Sequence, residues 1–170
     1  MKFDKSEIKA LQELLSSKKI QKNITLQKIS NKINSSFSNY TMYIDGAADL
    51  HSKTSGIGGV IYKDGEEFFV FSEYLDNATN NEAEYTALIH GLKSLLNLSV
   101  LNVVIFSDSE LVVKQINGEY KVKNDRMKKL YCDAHELLLK FNSWELKHVL
   151  RDKNTIADKL ATDGRLKNNL

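Results

Sequence analysis

The sequence lacks any apolar run long enough to span a bilayer, and it contains a single cysteine and no proline. Because a membrane-spanning helix needs about 20 mostly apolar residues, no membrane association is expected. The lone Cys132 cannot form an internal disulfide, which favours an intracellular, cytoplasmic protein. Its position within a predicted helix favours a buried, unreactive thiol. The first fifteen residues mix charged and apolar side chains, unlike the continuous apolar stretch of a secretory signal.

Positive charge is concentrated near the N-terminus. Residues 1–40 hold eight lysines and three acids, whereas residues 41–170 carry a net charge of −3. This asymmetry is typical of an arm that contacts nucleic acid, but the solvated surface of a helix produces the same pattern. Apolar spacing predicts helices over 4–18 and 24–34, followed by a Ser-rich linker. We therefore divide the chain into a basic helical extension with its linker, 1–40, and a main domain, 41–170.

The main domain alternates predicted strands and helices. Strands are expected at 41–49, 56–65, 66–75, 100–108 and 143–149. Helices are expected at 80–97, 110–117 and 125–141, with a last one beginning near Asn154. Asp64-Gly65 predicts a hairpin turn between the second and third strands, and the apolar run at 100–108 predicts a strand buried on both faces. The order βββαβααβα implies an α/β fold in which helices flank a mixed sheet.

Four acids stand at the edges of these elements. Asp45 and Asp108 lie at the ends of apolar strands, and Glu84 and Asp158 lie one turn into helices. If the first and fourth strands are neighbours, the first two carboxylates meet at one edge of the sheet. Each acid alone is more often a helix cap or an ordinary first-turn acid than a metal ligand. Four clustered carboxylates repel each other unless a cation neutralises them, so together they predict a site for Mg²⁺ or Mn²⁺.

Four motifs carry these acids. They are YIDGAAD at 43–49, TNNEAEYTALIHGL at 79–92, SDSELVVKQINGEYKVKN at 107–124 and HVLRDKNTIADKLA at 148–161. In order and spacing they resemble type 1 ribonuclease H, over residues 41–164. The resemblance implies a ribonuclease H-like, five-stranded mixed sheet. It also implies an endonuclease that hydrolyses the RNA strand of RNA/DNA hybrids with two Mg²⁺ ions, for which Mn²⁺ can substitute.

The resemblance also assigns roles to the acids. Asp45 and Asp108 match the acids that bridge the two metal ions. Glu84 matches the acid that holds one ion and contacts a 2′-hydroxyl network, and Asp158 matches the acid that holds the other. Glu82, two positions before Glu84, is interpreted as a solvated surface residue, because the NNxAE spacing selects Glu84 and a two-residue offset changes the helix face.

Six further residues are candidates for contact with the hybrid. Asn80 and Asn81 match positions that contact its minor groove and backbone, and Gly46 permits close approach of RNA. The candidates are Gly46, Asn80, Asn81, Ser109, Glu110 and Arg151. For Arg151, binding of a phosphate or aid to product release and an ordinary surface cation remain equally open.

The chain departs from the family pattern in several places. Leu150 replaces the proline of the common HVPR form, and Glu110 replaces a frequent Gln. The basic protrusion of the better-known bacterial form is missing, and no His lies between Arg151 and Asp158. His148 is interpreted as a packed strand residue and not as a proton shuttle. We hypothesise that the basic extension supplies the phosphate affinity of the missing protrusion.

Two other functions share this fold. One is a nuclease that acts on DNA junctions or transposon ends, and the NNxAE and HVxR elements favour the hybrid instead. The other is a non-catalytic binding module. Retention of all four acids argues against it, because clustered carboxylates without a purpose cost stability. An RNA/DNA hybrid is the expected partner of a monomeric enzyme.

Overall fold

The computed structural model describes residues 39–167, together with residues 7, 10, 11, 13, 14 and 25. The chain divides into two units, Met1–Ser38 and Asn39–Leu170. The described residues of the first unit are helical, and the side chain of Leu14 is exposed. The predicted helices at 4–18 and 24–34, and the linker that follows them, lie mostly outside the described residues.

The second unit is built on a five-stranded mixed sheet. Its strands are β1 (Tyr40–Asp49), β2 (Thr54–Lys63), β3 (Glu66–Asp76), β4 (Asn102–Ser107) and β5 (Ser143–His148). The strand order is β3-β2-β1-β4-β5. The β1–β2 and β2–β3 pairs are antiparallel, whereas β4 pairs in parallel with both β1 and β5. The predicted mixed sheet is confirmed. The first and fourth strands are neighbours, which is the condition under which the first two carboxylates were expected to meet.

Within residues 39–167, four α-helices accompany the sheet. They are α1 (Asn80–Asn97), α2 (Glu110–Ile116), α3 (Asp125–Leu138) and α4 (Thr155–Leu166), and a short 3₁₀ helix (Arg151–Lys153) precedes the last one. The predicted element order is confirmed. Within the described part of the chain, no helix is both long and apolar enough to cross a membrane.

The turn between β2 and β3 is the one that the sequence predicts. Asp64 and Gly65 both have positive φ, 54° and 89°. Positive φ at both central residues is what a type I′ hairpin turn requires, and Asp-Gly accepts it at low cost. The Asp64 carboxylate accepts a hydrogen bond from the backbone N–H of Asn39, at 2.9 Å. This contact fastens the turn to the residue that precedes β1.

The core lies between the sheet and α1. Met42 and Ile44 of β1 are fully buried with Leu88 and Leu92 of α1, as expected of an amphipathic helix that lays its apolar stripe on a sheet. Helix α3 packs outside α1, and α4 covers the other face of the sheet at β1, β2 and β3. The two helices therefore hold β1, the strand that carries Asp45, from both sides.

Two predictions about burial are wrong. Burial along β4 alternates: Val103 and Ile105 are buried, but Val104 and Phe106 are only partly so. The reason is that α4 covers the first three strands and does not cover this face of β4. There Phe106 stacks on Tyr43, with ring centroids 4.7 Å apart. Cys132 is exposed, because the buried residues of α3 lie on the opposite side of the helix.

Candidate active site

The first two carboxylates lie where the parallel ladder between β1 and β4 ends. The last paired residues of that ladder are Ile44 and Ser107, so Asp45 and Asp108 each directly follow it along the chain. Asp45 is not at the end of β1 as predicted, because pairing with β2 continues to Asp49. The predicted proximity holds nevertheless, since it depends on where the parallel ladder ends.

Helix α1 brings the third carboxylate to this edge. The helix begins with a capping box, in which the Thr79 side chain accepts from the backbone N–H of Glu82 and the Glu82 side chain accepts from that of Thr79. Its first turns then pass over Gly46, where an added Cβ would lie only 2.3 Å from the backbone nitrogen of Glu84. The backbone N–H of Gly46 donates to the Glu84 carboxylate. Close backbone packing therefore sets the position of the third acid.

These three acids form a compact, mostly buried cluster. Asp45, Glu84 and Asp108 each present an oxygen within 4.8 Å of the other two, and Asp45 and Glu84 are each only 5% exposed. Burial, and then the negative charge of Asp108 and Asp158, raises the pKa of Asp45 to about 8. Burial, and then the charges of Asp45 and Asp108, raises the pKa of Glu84 to about 9. Without a cation, the site therefore favours protonated acids.

The donor set fits a divalent cation. Three carboxylates supply hard oxygen ligands of the kind that Mg²⁺, Ca²⁺ and Mn²⁺ bind. Glu84 Oε2 is buried and has no hydrogen-bond partner among the described residues, although a buried acceptor normally finds one. A bound cation would satisfy this oxygen and neutralise the repulsion that raises the two pKa values.

The fourth acid stands apart from the cluster. Asp158 lies in the first turn of α4 and is ion-paired with Arg151, at 2.5 Å between Nη2 and Oδ1. It still acts on the cluster, since its charge contributes to the raised pKa of Asp45. The Arg151 side chain is 80% exposed, so this ion pair is in contact with solvent.

The cluster opens into a cleft of about 860 Å³. Four of the six predicted hybrid-contacting residues line it: Gly46, Asn80, Ser109 and Arg151. Asn81 lines a separate groove instead, and Glu110 lines neither, because its carboxylate is held 2.6 Å from Lys114. The cleft also includes His51 and Arg165, which the sequence analysis did not select as site residues.

Comparison with known proteins agrees with this geometry. The family described as Reverse transcriptase-like matches residues 43–164. The structure of RNase H1 from the halophilic archaeon Halobacterium salinarum is 31% identical and superposes with a TM-score of 0.72, covering 76% of this chain and 98% of that one. The chain belongs to the ribonuclease HI family.

Two further relatives of this ribonuclease H chain bear on its function. The structure of LC11-RNase H1 in complex with an RNA/DNA hybrid is 31% identical, with a TM-score of 0.73, and covers 78% of this chain and all of that one. A bifunctional protein of Mycobacterium tuberculosis is 36% identical over 122 residues, which are 70% of this chain. The matched region spans about a third of the length of that mycobacterial protein.

The structure corrects two interpretations of residues near the ribonuclease H site. Glu82 is not simply solvated: besides its part in the capping box, its side chain is 16% exposed and lies 3.4 Å from Arg126. His148 is not packed within β5. It is an exposed residue at the end of that strand, it lines the cleft, and its Nε2 lies 3.2 Å from the backbone oxygen of Asp108.

A residue that the sequence analysis missed lies directly behind the acids. Asn154 is 1% exposed, and its side-chain amide contacts Asp108. It stands four positions before Asp158, inside the last motif. The only signal in the sequence was an Asn at the start of a helix, which is usually explained by capping.

Proposed function

We propose that this protein is an endoribonuclease that hydrolyses the RNA strand of RNA/DNA hybrids. The observation that carries the proposal is the buried cluster of Asp45, Glu84 and Asp108 at the floor of an open cleft. Support comes from the fold, which is shared with LC11-RNase H1, a protein whose structure contains an RNA/DNA hybrid.

Mg²⁺ is the proposed cofactor, with Mn²⁺ as a substitute. The three clustered carboxylates would hold it, and Asp158 would join them when Arg151 releases its side chain. A pair of such cations activates water and stabilises the leaving oxygen of a phosphodiester. The protein itself orients the carboxylates by the β1–β4 ladder and by the packing of α1 on Gly46.

The residues around the cluster suit a nucleic acid backbone. We propose that Asn80 and Ser109, at the starts of α1 and α2, donate to the hybrid within the cleft, and that Arg151 binds a phosphate there. Reading of the 2′-hydroxyl would separate RNA from DNA, and we propose Glu84, which lines the cleft together with Asp45 and Asp108, for this contact.

A second groove extends this surface. It has a volume of about 390 Å³ and begins at Asn81, the neighbour of Asn80. Its lining includes the cations Lys121, Lys123 and Arg126, which suit the phosphates of a second strand. Because Asn80 faces the cleft and Asn81 faces the groove, we propose that one duplex contacts both.

The proposal is tested with matched labelled duplexes. RNA/DNA, RNA/RNA and DNA/DNA of one sequence are incubated with Mg²⁺ or Mn²⁺, and the products of each strand are resolved. We expect cleavage confined to the RNA strand of the hybrid, and none with EDTA. Preferential cleavage of DNA/DNA would instead identify a nuclease of the same fold with another substrate, and binding without any cleavage would identify a binding module.

The basic extension is expected to add affinity for phosphate. Removal of residues 1–38, which carry a net charge of +5 against −3 for the rest of the chain, should raise KM for the hybrid and flatten the dependence of KM on salt, because fewer counterions are released on binding. The measurement is KM at salt concentrations between about 50 and 200 mM. An unchanged KM with an unchanged salt dependence would assign the extension to structure or to another partner.

A further inference from the structure

Asn154 occupies a helix N-cap but does not cap the helix. An Asn at this position normally accepts a hydrogen bond from the backbone of the first turn, as Asn124 does at the start of α3, where it accepts from Arg126 and Met127. Asn154 precedes α4 and makes no side-chain cap hydrogen bond. Its side chain is almost fully buried and therefore makes its hydrogen bonds elsewhere in the protein.

The side-chain amide of Asn154 donates two hydrogen bonds, and both go to the edge of the sheet that carries the acids. Nδ2 of Asn154 donates to the backbone oxygen of Ile44, at 2.9 Å, and to Oδ1 of Asp108, also at 2.9 Å. Ile44 immediately precedes Asp45, so one nitrogen bridges the backbone beside one clustered acid and the carboxylate of the other. The Oδ1 of Asn154 is left buried without a partner among the described residues, a cost that a side chain selected for capping would avoid.

We propose that Asn154 is a positioning residue that fixes the separation and orientation of Asp45 and Asp108 for metal binding. By holding Oδ1 of Asp108, it leaves Oδ2 as the oxygen available to a cation. The amide suits this place because it supplies two N–H donors from one atom and carries no charge. A Lys or Arg here would neutralise the carboxylate and compete with the cation, whereas an Asp would repel it.

The consequence for catalysis depends on the proposed function, but the consequence for metal binding does not. Groups that orient ligating carboxylates typically contribute about 10- to 100-fold to metal affinity or activity. We therefore expect Asn154→Ser and Asn154→Ala to weaken Mn²⁺ binding by about this factor, measured by calorimetry on the protein without nucleic acid. In the hydrolysis of hybrid at saturating Mn²⁺, kcat should fall while KM for the hybrid stays within about twofold, because Asn154 does not line the cleft.

The two substitutions separate positioning from capping. Serine can cap α4 and alanine cannot, so a capping role predicts that the serine variant behaves as wild type and only the alanine variant loses stability. The positioning role predicts equal loss of Mn²⁺ affinity in both, since neither side chain can reach Ile44 and Asp108 together. Asn124→Ala removes an ordinary cap and should lower Tm with no effect on Mn²⁺ affinity.

Wild-type Mn²⁺ affinity in the serine variant would overturn the proposal, as would a loss of Tm in both variants without a change in Mn²⁺ affinity. If the wild-type protein binds Mn²⁺ but does not cleave the hybrid, the proposed function fails and the affinity measurements still decide the role of Asn154.

Discussion

Asp108→Asn is expected to lower kcat for hybrid cleavage at least about 10³-fold while leaving the fold intact. The substituted side chain keeps its size and can still accept the hydrogen bond from Asn154, so the β1–β4 edge should be preserved. The variant removes one of the three carboxylates, whose oxygens lie within 4.8 Å of one another. The cation thereby loses a charged ligand. Single-turnover cleavage and circular dichroism measure the two effects.

The same variant should gain stability when no metal is present. The charge of Asp108 contributes to the raised pKa values of Asp45 and Glu84. A carboxyl group whose pKa is raised by folding destabilises the folded state once the pH rises above its pKa in the unfolded chain, near 4. This loss of stability is complete above the pKa in the folded state, which is about 8 for Asp45 and about 9 for Glu84. With EDTA at pH 8, we expect a higher Tm for Asp108→Asn than for wild type, and near pH 4 no difference.

Asp163→Asn is the matched control for this result. Asp163 lies on α4 and pairs with Lys159 at 3.4 Å, outside the cleft. Its replacement should change neither kcat nor the pH dependence of Tm, because exposed ion pairs contribute little. Full activity in Asp108→Asn would show that the acids are misassigned, and a Tm in EDTA below that of wild type would contradict the electrostatic account.

Much of the fold follows from sequence because its signals are local. The Asp64-Gly65 turn and the apolar stripe of α1 each depend on a few neighbouring residues, and the structure has both. The adjacency of β1 and β4 is not local, and the sequence offered it only as the condition under which Asp45 and Asp108 would meet. Periodicity identifies the two strands but does not determine that they are neighbours, so this tertiary contact had to come from the structure.

The parts of the site that sequence did not reveal depend on contacts between distant segments. Nothing in the sequence around Asn154 shows that its amide reaches Ile44, 110 residues earlier. The sequence predicts a packed His148 because a strand is expected to continue around it, yet β5 ends at this residue and exposes it. Glu82 lies outside the cluster of three acids, and its ion pair with Arg126 depends on how α3 packs against α1.

Gly46→Ala is expected to lower the stability of the protein by about 3 kcal/mol or more. The sequence indicates Gly46 as a place where RNA approaches the backbone. The structure shows that the packing of α1 on β1 also requires a glycine at this position. A Cβ there would lie 2.3 Å from the backbone nitrogen of Glu84 and 2.4 Å from the backbone carbon of Ala83. Neither atom can move unless the whole helix α1 moves away from β1.

This displacement would also carry Glu84 away from Asp45 and Asp108, so Gly46→Ala should lose Mn²⁺ affinity and hybrid cleavage together with stability. Gly59→Ala is the matched control in the same sheet. There the added Cβ would lie 2.4 Å from Cζ at the far end of the Phe71 side chain. This side chain can move aside by a change in its first torsion angle without any displacement of α1, so a loss of about 1–3 kcal/mol and normal Mn²⁺ affinity are expected. Urea unfolding and Mn²⁺ calorimetry on both variants provide the measurement. Equal destabilisation of the two, with Mn²⁺ binding unchanged in Gly46→Ala, would mean that the approach of α1 to β1 does not set the position of the third carboxylate.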